Sequence, residues 1–248
     1  MYVAVTVLFV ALVMMAVELL RPGRSFPRVA NWYARALLFN GFQALSLFTV
    51  GRLADAYFQA HRPWNFDAVG TVGAAVIGYV IHSFVYYWWH RWRHEVGFLW
   101  RYLHQLHHSP QRIEIVTSFY KHPLEIAVNG VLSSAVLYGV LGLSAEAATG
   151  AFLLSGLAEL VYHWNVATPH WLGFVIQRPE SHCVHHEEGL HHFNYGDLPV
   201  FDWMFGTLRN PREWERTCGL GPANEHRVLE MLAGVNVTER PVSVEPRP

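Results

Sequence analysis

The sequence predicts an all-α polytopic membrane helical bundle of four to five spans with a cytosolic, histidine-rich cap. Three observations predict it. Only 15% of the 248 residues are charged and 52% are hydrophobic, a balance well short of the roughly 25% charge of soluble domains. Five long apolar runs follow one another along the chain. The 16 histidines nearly match the 18 Lys plus Arg, and most stand in clusters at one end of those runs.

The runs are Val3 to Leu20, Ala34 to Val50, Ala68 to Trp89, Ile126 to Leu143 and Ala147 to Tyr162. A bilayer core takes about 17 to 25 helical residues, which suits the first, third and fourth best. Asn40 and Gln43 interrupt the second, and the fifth is short and carries Glu159. Only Ser144, Ala145 and Glu146 separate the fourth from the fifth, so a tight helical hairpin is expected there. With the N-terminus outside, the short cytoplasmic loops hold Arg21, Arg24, Arg28, Arg35, Arg91, Arg93, Arg101, Arg112 and Lys121, against Arg52 and Arg62 in the outer loop. That bias sets the orientation. No cation precedes the first run, so no cleaved signal is expected.

After Tyr162 the chain turns polar, and Pro169, Pro179, Gly189, Pro199 and Gly206 break any long helix. This segment reads as a cap on the membrane face, with a loose tail from Val237 through Pro241, Pro246 and Pro248. The expected organisation is membrane spans and loops over 1–65, a histidine-rich domain of spans and cytosolic cap over 66–210 and a C-terminal cytosolic segment over 211–248. Lys121 is the only lysine, a usage that fits a GC-rich bacterial genome and so a bacterial cytoplasmic membrane.

Several functions are excluded at this level. A net charge of −1 offers no footprint for nucleic acid. Cys183 and Cys218 stand in no C-x-x-C motif and are too few for a disulfide scaffold.

The histidine spacing points to a metal. His90 and His94 lie four apart at the end of the third run, where helical geometry puts both imidazoles on one face. His104, His107 and His108 form an HxxHH motif, and His182, His185 and His186 form a second. Imidazole suits iron, zinc, copper and nickel, and a metal pair needs roughly eight or more protein ligands. These eight, with His163 as a ninth candidate, meet that demand. Glu159, one turn before His163, is placed to accept its second N–H.

His122, His191 and His192 are open candidates for the metal site or its surroundings. His61, His170 and His226 lack a partner at ligand spacing and read as interfacial polar groups. His82, eight residues before His90 and so about 80° around the helix, reads as structural. Tyr86, Tyr87, Trp88, Trp89, Trp92 and Trp100 read first as an interfacial aromatic belt, with Tyr87 and Trp88 also candidates to line a substrate cleft.

The motifs resemble the fatty acid hydroxylase superfamily, which includes sterol desaturases, sterol C-4 methyl oxidases and alkylglycerol monooxygenase. FVYYWWHRWRH is similar to the family's YYW-x-HR-x-x-H segment, LHQLHHS follows it, and KHPLE and YHWNV come next. RPESHCVHHEEGLHHFNYGDLPVFDWMFGTLRNP resembles the block P-x-x-H-x-x-HH, NYG and WD-x-LFGT. The resemblance runs from about Phe84 to Asn210.

It implies a membrane-embedded di-iron centre that uses O2 to hydroxylate or desaturate an unactivated C–H bond of a lipid. His90, His94, His104, His107, His108, His163, His182, His185 and His186 would be the ligands. Asn194, Tyr195, Gly196, Asp202, Phe205, Gly206 and Thr207 would shape the cap around them. Electrons would come from a separate ferredoxin, rubredoxin or cytochrome b5-type donor, because no flavin fingerprint or fused cytochrome is visible. Ser83 stands where many relatives have Asp, leaving a substrate-side polar contact open, and Phe201 replaces a Trp. The rival readings are a metal transporter, which would place ionisable groups along a path through the spans, and a non-catalytic relative that keeps its metals for structure.

Overall fold

The computed structural model describes residues 2–66 and 69–239, whose regular structure is helical, with one isolated β-bridge between Glu187 and Cys218. Each expected run forms helix. The first is α1 (Tyr2–Leu20). The second is α2 (Trp32–Ser46), which passes through a π-helical turn (Leu47–Gly51) into α3 (Arg52–Ala60) with right-handed backbone at both junctions. Arg52 therefore lies in this helix and not in a loop. The third is α4 (Gly70–Glu95), followed by the single turn α5 (Gly97–Leu99) and a π-helical turn (Trp100–His104). The fourth is α6 (Pro123–Ser134), prolonged by a π-helical stretch (Ala135–Val140), and the fifth is α7 (Ala145–His163).

Of these, Gly70–Glu95 and Pro123–Val140 are long and apolar enough to cross a bilayer, and Val5–Leu20 is a shorter apolar helix. Much of the surface is apolar: Leu8, Phe9, Leu37, Leu38, Phe48, Leu53 and Val72 are all more than half exposed.

Packing departs from the expected hairpin. Although Leu141–Ser144 links them closely, α6 lies along the α2–α3 helix while α7 packs along α4. Small residues decide this. Ala74, Ala75 and Gly78 of α4 meet Ala147, Ala148, Gly150 and Ala151 of α7, and a Cβ on Gly150 would come within 2.8 Å of the Ala75 methyl. Backbones approach where side chains are small. Helix α1 closes on α7 through Met14 and Leu160. Its buried Glu18 accepts the backbone N–H of Ile115 and Asn165 at 3.1 Å. Asn40, an interruption in the apolar pattern, donates to the carbonyl of Val116 at 2.9 Å.

The cap consists of short pieces: a 3-10 turn (His170–Phe174), α8 (Pro179–His185), α9 (Pro199–Met204), α10 (Pro222–Glu225) and α11 (Val228–Leu232). Proline opens all four of these helices except the last, at the one position where its missing N–H costs nothing. Val237, expected in a loose tail, is fully buried beside Trp32, Tyr120 and Met231. Gln105 fastens this segment by donating to the Val235 carbonyl at 2.7 Å. Pro241, Pro246 and Pro248 lie outside the described residues.

Candidate metal centre

Four elements bring nine imidazoles together. His90 and His94 come from the last turns of α4, and His104, His107 and His108 from the π-helical turn and the tight turn after it. His163 ends α7, while His182, His185 and His186 come from α8 and its C-cap.

They form two adjacent groups, His90, His94, His104, His108 and His185 in one and His107, His163, His182 and His186 in the other. Within each, the candidate ligand nitrogens all lie within 4.8 Å of one another. Each HxxHH motif is divided between the groups. The i and i+4 histidines of the first motif, His104 and His108, share one group and the i+3 residue His107 enters the other. The second motif does the reverse, with His182 and His186 in the four-membered group and His185 in the five-membered one. Residues four apart stack on a helix, whereas the i+3 residue leans to the flanking side. One motif thus serves two centres. The groups meet where His108 and His186 stack with ring centroids 4.0 Å apart.

The fit to metal rests on the ring nitrogens. His90 Nε2 is 2.9 Å and His108 Nε2 is 3.2 Å from His104 Nε2, and His182 Nε2 is 3.1 Å from both His163 Nε2 and His186 Nε2. Two nitrogens bound at right angles to an ion at about 2.1 Å would be ~3.0 Å apart. Nε2 of His94 and Nε2 of His185 are buried without any hydrogen-bond partner, which is costly for a polar atom in a dry site.

The outer nitrogens decide the tautomer. Nδ1 of His90 faces the carbonyl of Tyr195 at 2.8 Å, His185 that of Phe193 at 2.7 Å, His107 that of Tyr120 at 3.2 Å and His163 that of Glu159 at 2.9 Å. A carbonyl only accepts, so each Nδ1 carries the proton and each Nε2 keeps its lone pair for the interior. His104 Nδ1 is 3.0 Å from the carboxylate of Glu125, which also pairs with the buried Arg93. His108 Nδ1 is 3.1 Å from Nδ1 of His191.

Burial holds the imidazoles of His104, His107, His108, His182 and His186 well below their ordinary pKa of 6.5, and that of His185 down to about 3. Neighbouring imidazoles push most of them the same way. They are neutral at pH 7, the form that binds metal. Because the unfolded chain takes up these protons near 6.5, the metal-free protein loses stability as pH falls below that value. Asp197 and Asp202, raised by burial to about 7 and about 6, act in the opposite sense. Six imidazoles outweigh two carboxyls. The thermal midpoint of metal-free protein should therefore drop between pH 7.5 and 5, and a midpoint that holds or rises would refute the neutral-imidazole assignment.

The remaining site candidates are placed as follows. Asn194 donates to the carbonyls of Ser181 and Arg209, at 2.7 and 2.8 Å. Asp202 accepts from the backbone N–H of Tyr195 and Gly196 and from the Thr207 hydroxyl, at 2.7 to 2.9 Å. Together they brace a loop in which His191, Phe193 and Asn194 have φ of 46°, 67° and 50°. Left-handed backbone costs about 1–3 kcal/mol per residue. Here it aims the Phe193 and Tyr195 carbonyls at His185 and His90.

His122 accepts the Leu124 N–H with Nδ1 and so caps α6, apart from both groups. His192 is exposed and lies 3.4 Å from the Tyr195 hydroxyl. The carboxylate of Glu159 pairs with Lys121, so His163 is held by the Glu159 carbonyl and not by the side chain expected to accept its N–H. His82 bonds Ser133 at 2.9 Å, and His61 and His170 bond the carbonyls of Tyr57 and Asn210. Ser83 is fully buried with no partner for its hydroxyl. The Tyr87 hydroxyl lies 3.0 Å from that of Thr207, and both Tyr87 and Trp88 pack on Phe205. These two aromatics join α4 to the cap. Spacing alone does not single out Arg93, Glu125 and Lys121, although the KHPLE motif contains two of them.

The fatty acid hydroxylase family model matches residues 75–207, a stretch that contains all nine imidazoles. The chain belongs to this family. Among relatives, a Delta(7)-sterol-C5(6)-desaturase of Nicotiana tabacum is 32% identical over 144 residues, 56% of this chain and 51% of the relative. Human (Homo sapiens) alkylglycerol monooxygenase is 29% identical over 180 residues, 69% of this chain and 38% of the relative. The ornithine lipid hydroxylase OlsE of Rhizobium tropici is 32% identical over 142 residues, 55% and 42%. The chain spans about half or less of the length of these relatives. No solved structure matches it. These relatives carry the names of lipid hydroxylases and desaturases.

Proposed function

We propose that this chain is a multi-pass membrane di-iron oxygenase that uses O2 and external electrons to hydroxylate or desaturate an unactivated C–H bond of a lipid. The observation that carries the reading is the pair of adjacent imidazole groups, five and four strong, in which carbonyls hold the Nδ1 protons of His90, His107, His163 and His185 and so turn their Nε2 lone pairs inward. The nine histidines are the proposed ligands. Two bound irons would supply O2 activation and hydrogen abstraction, chemistry no side chain here performs alone.

The chain's own part is positional. The carbonyls of Tyr120, Glu159, Phe193 and Tyr195 orient the imidazoles, and Asn194 and Asp202 keep the last two carbonyls in place. Seven of the nine imidazoles are buried, which keeps bulk water from the reacting atoms. The apolar helices α1, α2–α3, α4, α6 and α7 are the proposed spans, with the histidines on the cytoplasmic side of a bacterial membrane. The electron donor is a separate ferredoxin, rubredoxin or cytochrome b5-type protein.

A lipid comparison tests the reading. Cells expressing the chain under oxygen should accumulate a lipid heavier by one oxygen, or lighter by two hydrogens, than cells lacking it. Growth under 18O2 should shift a hydroxylated product by two mass units. Identical lipid profiles, together with no O2 uptake by iron-loaded protein given a competent reductase and lipid, would overturn it.

A further inference from the structure

The cap has an apolar surface of its own. Trp171, Phe174 and Val175, on and just after the 3-10 turn, and Val200, Trp203 and Met204, on α9, are 45% to 72% exposed. The two pieces pack side by side, so these six residues form one surface. Helix α9 has two faces. Phe201 and Asp202 are buried while Val200, Trp203 and Met204 point outward. From Pro169 to Gln177 and from Leu198 to Leu208 the only charged residue is Asp202, whose carboxylate is spent on the Tyr195 and Gly196 N–H. Exposed arginines, Arg209 and Arg212, come directly after.

The position of this surface says what covers it. Phe201 and Phe205 pack on Phe84 of α4, with ring centroids 5.4 and 6.4 Å apart, and Phe205 also packs on Tyr87. Phe84 precedes His90 by six residues, about 9 Å along the helix, toward the middle of a helix long and apolar enough to cross a bilayer. On α4 the side chains of Val76, Ile77, Val80 and Phe84 are exposed as well. The apolar face of α9 is therefore level with, and adjacent to, the outward apolar face of α4. Tryptophan flanked by arginine is the composition of a headgroup boundary.

We propose that this face of the cap is a membrane-inserted surface, with Trp171 and Trp203 in the headgroup–acyl boundary of the leaflet beside α4, so that the cap is not wholly cytosolic. The proposal rests on the reading that α4 crosses a bilayer, and its test separates the two. Cys183 and Cys218 are 0% and 1% exposed, so single surface cysteines can be nitroxide-labelled selectively in the full chain. Trp171→Cys and Trp203→Cys would be reconstituted in phospholipid vesicles beside Val72→Cys as a lipid reference and Glu215→Cys as an aqueous one. All four positions are exposed, so the fold survives the changes.

Labels at 171 and 203 should collide with O2 several-fold more, relative to aqueous chromium oxalate, than the label at 215. Values equal to those at 215, with the label at 72 in lipid, would overturn the insertion of the cap while sparing the span. An aqueous label at 72 would overturn both. Spin–spin broadening at 203 that vanishes on dilution with unlabelled chain would mean that a second copy covers the face, and would also overturn the proposal.

Discussion

His186→Ala is expected to abolish lipid oxidation and to lower the metal content from two ions per chain to one. His186 belongs to the group with only four imidazoles, so its loss leaves three. Its ring is also the one stacked on His108 at 4.0 Å, the closest contact between the groups. No carboxylate belongs to either group among the described residues, so nothing nearby replaces the lost ligand. Mutating groups that merely support a ligand costs about 10- to 100-fold in metal affinity or activity, and loss of a ligand should exceed ~100-fold. Metal analysis and O2 uptake on the purified variant check this. His122→Ala is the matched control: it removes the cap of α6 but should leave metal content unchanged, because His122 lies apart from both groups. Equal metal loss in the two variants would contradict the division of histidines described above.

Glu125→Ala is the second large effect, and it separates stability from metal binding. Glu125 is 0% exposed and joins the buried Arg93 to Nδ1 of His104. Removing one partner of a buried pair leaves an uncompensated charge and typically costs about 3–5 kcal/mol. The same change frees the Nδ1 side of His104 and should weaken metal binding about 10- to 100-fold. The double variant Arg93→Met, Glu125→Leu removes both charges and should recover most of the thermal stability. It should not recover metal affinity, since His104 still lacks its acceptor. If affinity returns with stability, Glu125 acts only on the fold.

What could be read from the residues follows the range of the forces. Helical periodicity is local, so the five apolar runs and the spacing of His90 with His94 carried directly into structure. The same local logic puts His104, His107 and His108 near one face of a helix, yet i+3 and i+4 differ enough in direction for two centres to divide them. Tertiary contacts were less legible. The three-residue link between the fourth and fifth runs suggests neighbouring helices, whereas the Ala and Gly faces of α4 and α7 attract each other more strongly. The Tyr120, Glu159, Phe193 and Tyr195 carbonyls that hold the imidazoles have no side-chain signature at all. For the same reason Glu159 looked like the partner of His163 through its carboxylate, when its backbone carbonyl fills that role. Val237 reads as tail because prolines follow it, but its side chain packs beside Trp32 and Tyr120 and Gln105 bonds the Val235 carbonyl, contacts between residues far apart in the chain.

The central claim is that nine histidines of one chain hold two metal ions side by side. Anomalous diffraction at the iron edge, on protein purified from iron-supplemented cells without chelator, tests it most directly. Two iron peaks are predicted, one among His90, His94, His104, His108 and His185 and the other among His107, His163, His182 and His186. A single peak, or iron bound away from these imidazoles, would contradict it.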